Sequence, residues 1–181
     1  MSDSIAYPYK ENGYTVYSTA ACPYAQRALR ALEFAKLIPT DAIERAQLRL
    51  FVEIFSSRVN PHILGSLRAA TKDAQEEQIQ KLLSGLREVS DELTKQWERP
   101  SGKSGPFWFG DKFSLAEVNT VSFVNLFAGP KHYRGLVIPE TDEYAAYHKW
   151  VAAFSQHPLY TAFQTPDTSV VSTLKNYVAE D

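Results

Sequence analysis

One residue in this sequence combines reactive chemistry with a suitable setting: Cys22, the only cysteine in the chain. The small-residue loop Ser18-Thr19-Ala20-Ala21 leads into it. Pro23 follows, the residue type that a helix prefers in its first turn. A thiol at such a helix mouth sits at the positive end of the helix dipole. Backbone N–H groups with no partner inside the helix are free there to hydrogen-bond a thiolate. A thiolate so held can attack a disulfide or an electrophile, or bind beside a second thiol. The plainer reading is a small buried hydrophobe that carries sulfur; the strand–loop–Cys-Pro–helix position favours the reactive one. A single cysteine excludes an internal disulfide framework and a cysteine-rich metal site.

Other chemistry is sparse. The four histidines make no visible Cys/His nucleophilic pair and no H-x-x-x-H ligand spacing, and no Asp/Glu/His cluster has metal spacing, so no metal site is expected. His62, after Pro61, and His157, before Pro158, read as structural. His132 and Tyr133 fall in a stretch that reads as a Gly/Pro-flanked loop (Gly129-Pro130-Lys131), from which they could line a pocket. Gly102-Lys103-Ser104 resembles the end of a phosphate-binding loop, but Trp97 stands where that loop needs a glycine, which excludes it. Glu76-Glu77 reads as a solvated helix face.

The elements that must position Cys22 begin with one strand, Tyr14-Thr15-Val16-Tyr17, preceded by the turn pair Asn12-Gly13. A helix with Ala28, Leu29, Leu32 and Ala35 on one face follows, from Tyr24 to Lys36. No second strand is evident beyond it. Asp41-x-x-Glu44 reads as a capping box opening a helix with Ile43, Ala46, Leu50, Phe51, Ile54 and Phe55 at helical spacing, kinked or restarted at Asn60-Pro61. A long helix from about Thr71 to Trp97 repeats Ile79, Leu82, Leu86, Val89 and Leu93, which suits an intramolecular helix pair better than a coiled coil. After a loop from Arg99 to Pro106, Ser114-x-x-Glu117 reads as a second capping box. The helix beyond it is apolar nearly all round, as a central buried helix would be. Two more helices are expected at Glu143 to Phe154 and Ser169 to Val178.

Composition narrows the function classes. The 181 residues carry 19 basic and 21 acidic side chains, a net charge of -2 with no long Lys/Arg tract, so nucleic acid is not an expected partner. No stretch reaches the roughly 18 apolar residues of a membrane span, and no secretory signal pattern opens the chain. A cytoplasmic setting without membrane partners is the expectation.

Tyr14 to Arg27, with Cys22-Pro23-Tyr24-Ala25 at its centre, resembles the first strand, active-site loop and first helix of omega-like glutathione transferases, fungal members in particular. Ile38 to Gln47 resembles the start of their helical C-terminal domain, Phe109 to Glu117 that domain's capping-box segment, and His157 to Tyr160 the start of its last helix. The family usually has Asp where Glu117 stands. The resemblance implies a mainly α fold with residues 1–38 as a shortened thioredoxin-like segment and 39–181 as the helical domain. The first helix runs into the helical domain's capping box with only Leu37 to Thr40 between. The second half of the thioredoxin-like unit is therefore missing from the pattern, and with it the cis-proline and Glu-Ser motif that grip glutathione.

What the resemblance implies functionally is glutathione-dependent chemistry on a small apolar electrophile: addition, thiol exchange, or addition–elimination giving trans-to-cis olefin isomerisation, as in fungal specialised-metabolite biosynthesis. Cys22, Pro23 and Tyr24 would form the glutathione site, with Cys22 catalytic, and Arg49, Phe127 and Tyr133 are the expected pocket residues. Homodimerisation is also implied. The alternative is a non-catalytic assembly or ligand-binding module, since the helical domain also occurs in that role.

Overall fold

The computed structural model describes residues 22–24, 39–99 and 105–179. The strand expected at Tyr14–Tyr17 and most of the helix after it lie outside these residues; Pro23 and Tyr24 themselves are helical. Helix α1 (Ala42–Arg58) starts where Asp41 Oδ1 accepts the N–H groups of Ile43 and Glu44, each at 2.9 Å, which satisfies two of the orphan donors of a first turn. It stops at Val59, and α2 (Asn60–Arg68) restarts at once with Pro61 in its first turn, where the missing N–H costs nothing. Thr71 caps α3 (Lys72–Glu98), whose stripe of Leu82, Leu86, Val89 and Leu93 is wholly buried. Within that stripe Gly85 is required by close approach: a Cβ there would meet the Arg58 carbonyl oxygen at 2.3 Å. α1 and α2 therefore cross α3 nearer than any larger side chain would permit.

Past the second loop, α4 (Leu115–Val124) is buried on nearly every side, as its composition requires. A 3-10 turn (Asn125–Phe127) leads into α5 (Ala128–Arg134), which ends on Gly135 in the left-handed conformation, φ 64°. A second 3-10 turn (Asp142–Tyr144) opens α6 (Ala145–Ser155); α7 (Pro158–Thr161), α8 (Asp167–Leu174) and a last 3-10 turn (Lys175–Tyr177) follow. Among the described residues there is no strand, only isolated bridges pairing Phe107 with Gly110 and Phe109 with Lys112.

The core is aromatic where α1, α3, α4 and α6 meet. Phe51 stacks on Trp108 with ring centroids 4.2 Å apart, and Trp150 meets Phe51 and Phe154 edge-on at 5.9 and 4.9 Å. Phe51, Phe55, Trp150 and Phe154 have no exposed surface. Burial of each such ring is worth about 1.5–3 kcal/mol, and offset or edge-on contacts add to it.

One expectation needs correction. Gly129-Pro130-Lys131 is not a loop but the first turns of α5. Gly129 and Pro130 are buried, and a Cβ on Gly129 would meet Leu174 Cδ1 at 2.5 Å. Helix–helix packing wins there over the turn preference of the two residues.

Candidate functional site

A cavity of about 700 Å³ opens between the Cys22-Pro23-Tyr24 segment and one end of the helical body. Its other walls come from Ser56 of α1, Asn60 to Arg68 of α2, Phe123 of α4 with Leu126 of the 3-10 turn after it, and Thr173 and Leu174 of α8 with Tyr177 of the last 3-10 turn. Tyr24 joins the two sides. Its ring meets Phe123 edge-on at 5.3 Å while two-thirds of the residue, 66 %, remains exposed. Cys22 is half-buried, is not in a disulfide, and lies on the cavity wall beside Pro23.

The walls are chiefly apolar, with Leu64, Phe123, Leu126 and Leu174 against the hydroxyl-bearing Ser56 and Thr173. Arg68 is the one charged side chain among the described lining residues. Its guanidinium lies over the Tyr177 ring, 5.0 Å from the centroid. Asn60 Oδ1 is buried and has no hydrogen-bond partner. Such a volume, mostly apolar with a few polar groups, suits a small organic ligand.

Cys22, Pro23 and Tyr24 are thus together on one wall, as the sequence led us to expect of neighbours in the chain. The other three expected pocket residues are elsewhere. Arg49 is exposed on α1. Phe127 is packed in the core at 2 % exposure. The Tyr133 hydroxyl donates to the Val171 carbonyl at 3.0 Å, tying α5 to α8. Sequence reasoning missed Ser56, Asn60, Arg68, Phe123 and Tyr177. They come from separate helices, and only the buried spacing around Phe123 was visible in advance.

The histidines behave structurally. His157 caps α7, accepting the Leu159 N–H at 3.3 Å, and stacks on Phe113 at 4.3 Å; burial lowers its pKa. His62 Nδ1 pairs with Gln78 at 2.8 Å, and His148 Nε2 with the Pro139 carbonyl at 2.9 Å. No cluster of metal-ligating side chains exists among the described residues.

The buried carboxylate is also structural. Glu117 completes the capping box with Ser114, and it does more than cap. Its Oε1 accepts from the Trp108 N–H at 2.8 Å and from Trp150 Nε1 at 3.1 Å, while Oε2 accepts from the Ser114 N–H and hydroxyl at 2.8 and 2.7 Å. One side chain thereby pins the 107–114 segment and α6 to the start of α4. Burial pushes its pKa up against the lowering effect of these donors.

Residues 72–153 match the family model described as the glutathione S-transferase C-terminal domain. The helical part of the chain is thus similar to that domain over residues 72–153. Among solved structures, a Tau-class glutathione S-transferase from mango, Mangifera indica, superposes with a TM-score of 0.67 at 17% identity, covering 78% of this chain and 62% of that one. Glutathione transferase Omega 3C from Trametes versicolor gives 0.61 at 19% identity, over 82% and 62%. A Burkholderia graminis glutathione transferase, with two glutathione molecules bound per subunit, gives 0.56 at 19%, over 78% and 57%. At these identities the likeness is one of fold. The chain spans about 62% of the length of the mango and Trametes proteins. No curated protein sequence matches it. No helix among the described residues is long and apolar enough to cross a membrane.

Proposed function

We propose that this protein carries out glutathione-dependent chemistry on a small apolar electrophile, with Cys22 as its reactive thiol. The observation that carries the reading is the shared cavity: Cys22 lies on the wall of a space of about 700 Å³ whose other walls are the apolar ends of α2, α4 and α8. A thiol beside a chiefly apolar volume is an arrangement that suits thiol exchange and thiol addition to small apolar electrophiles. The glutathione bound to the Burkholderia structure supports glutathione as the thiol brought to such a fold.

Two balanced routes fit. In exchange, the Cys22 thiolate attacks the sulfur of a glutathionylated substrate and expels the substrate thiol. A second glutathione thiolate then takes the bound glutathione as its disulfide and releases Cys22. In addition, the glutathione thiolate forms a C–S bond to the β-carbon of an unsaturated carbonyl compound, and the resulting enolate takes a proton from water. Elimination of glutathione after rotation about the former double bond returns an isomerised olefin.

Calorimetric titration with reduced glutathione, run beside Cys22→Ala, tests the reading. We expect saturable binding by the native chain and loss of turnover of mixed-disulfide substrates in the variant. Absence of binding at millimolar glutathione would overturn the enzyme reading in favour of a non-catalytic assembly or ligand-binding module.

A further inference from the structure

The two arginines at the end of α2 differ in what they have left to give. Arg134, reaching over from α5, donates from Nε to the Ser66 carbonyl and from Nη2 to the carbonyls of Leu67 and Ala179, all at 3.1 Å. It thereby takes up the carbonyls that a cation in the last turn of α2 would otherwise use. Arg68 is that last-turn cation, and its guanidinium makes no hydrogen bond and no ion pair with any described residue. Its aromatic partner among the described residues is the face of Tyr177. A guanidinium held over an aromatic face by its π-system still has its N–H donors to give, and a guanidinium fork can receive a carboxylate with two parallel hydrogen bonds.

The surroundings select the rest of the ligand. No Asp or Glu stands among the described lining residues to neutralise Arg68, and the walls beside it are Leu64, Leu126 and Leu174. We infer that the cavity takes an amphipathic carboxylate, with its acid group on the Arg68 fork and its apolar body against these leucines and Phe123. The inference deepens the function proposed above, on which it rests only for the electrophilic character of the natural ligand. The co-substrate is then an unsaturated or thiol-reactive acid rather than a neutral hydrocarbon-like electrophile.

The test uses an unreactive probe pair, so that binding is read apart from chemistry. 4-Phenylbutyrate and its methyl ester are titrated calorimetrically into the full chain, with and without saturating glutathione, and into Arg68→Gln, Arg68→Lys and Cys22→Ala. A charge-assisted pair at a solvent-facing site predicts that the acid binds about tenfold tighter than the ester. Arg68→Gln should abolish that preference and leave ester affinity and the thermal midpoint unchanged, since Arg68 is exposed. Arg68→Lys should restore only part of it, and Cys22→Ala should keep it whole. Equal affinity for acid and ester, a preference that survives Arg68→Gln, no saturable binding of either probe, or displacement of the acid by glutathione would each overturn the inference. Acid preference in a protein that does not bind glutathione would uphold it while removing the enzyme reading, so the two failures are separable.

Discussion

Glu117 and the Cys22–Arg68 cavity both set ionisable groups beside apolar ones, and the chain treats them differently. Glu117 accepts from four donors, two backbone N–H groups, one hydroxyl and one indole N–H, while the Trp108 indole N–H is buried with no partner among the described residues. Around the cavity the polar groups are left over. Among the described residues Asn60 Oδ1 is buried without a partner, and the Arg68 guanidinium makes no hydrogen bond or ion pair. A buried polar group costs free energy unless it is paired, so a fold keeps unpaired ones only where some other requirement holds them. The contrast teaches that burial alone does not mark a functional residue. Glu117 has the more perturbed environment, and its donors all belong to the protein, so it serves the fold.

Replacing Glu117 is the strongest way to break this comparison. Glu117→Ala leaves two backbone N–H groups and the Trp150 indole buried without an acceptor, at about 1–3 kcal/mol each before relaxation. We expect a net loss of about 3–5 kcal/mol, seen as a fall of roughly 10 °C in the thermal midpoint for a chain of this size. A variant as stable as the parent would show that this node does not hold the 107–114 segment to α4 and α6.

The next effect is smaller and uses the arginine pair. Arg134→Ala removes three guanidinium hydrogen bonds to the carbonyls of Ser66, Leu67 and Ala179, and we expect it to cost about 1.5–3 kcal/mol. Arg68→Ala, at the same helix end, should cost at most about 1 kcal/mol, as losing one exposed cation–π contact to Tyr177 does. Denaturant titration of both variants reads the difference. Equal losses would mean that Arg68 is a structural cation after all and that its free fork is not a feature of the folded state.

Local signals made much of the fold legible in the sequence. Asp41 and Ser114 announce their helices because a cap bonds two or three residues ahead, within reach of sequence spacing. The stripe from Leu82 to Leu93 and the all-round apolar α4 were readable for the same reason: periodicity is a property of neighbours. What escaped is what converges from afar. Trp150 reaches Glu117 across 33 positions, and Arg134 reaches Ser66 across 68. Arg49, Phe127 and Tyr133 were sensible pocket candidates by type, but helix phase turned them to solvent, core and α8 respectively. The cavity wall combines Ser56, Arg68, Phe123 and Tyr177, a set that only tertiary packing brings together. Residues 1–21 and 25–38, on which the thioredoxin-like expectation rests, lie outside the described residues.

The finest distinction between the two regions is their response to pH. Burial raises the Glu117 pKa above its ordinary value of 4.5. A carboxyl group whose pKa is higher in the folded state binds its proton more tightly there than when unfolded. Its contribution to stability is therefore fully present below the unfolded pKa and is lost as pH rises through the folded one. Glu117→Gln cannot titrate, so it removes this slope while keeping most of the volume and one acceptor oxygen. We expect the stability gap between parent and Glu117→Gln to be widest near pH 4 and to narrow steadily as the pH is raised. Urea unfolding at a series of pH values measures it directly. A gap that widens with pH would mean that the four donors outweigh burial and hold Glu117 ionised, which would make the node a charged anchor instead of a strained one.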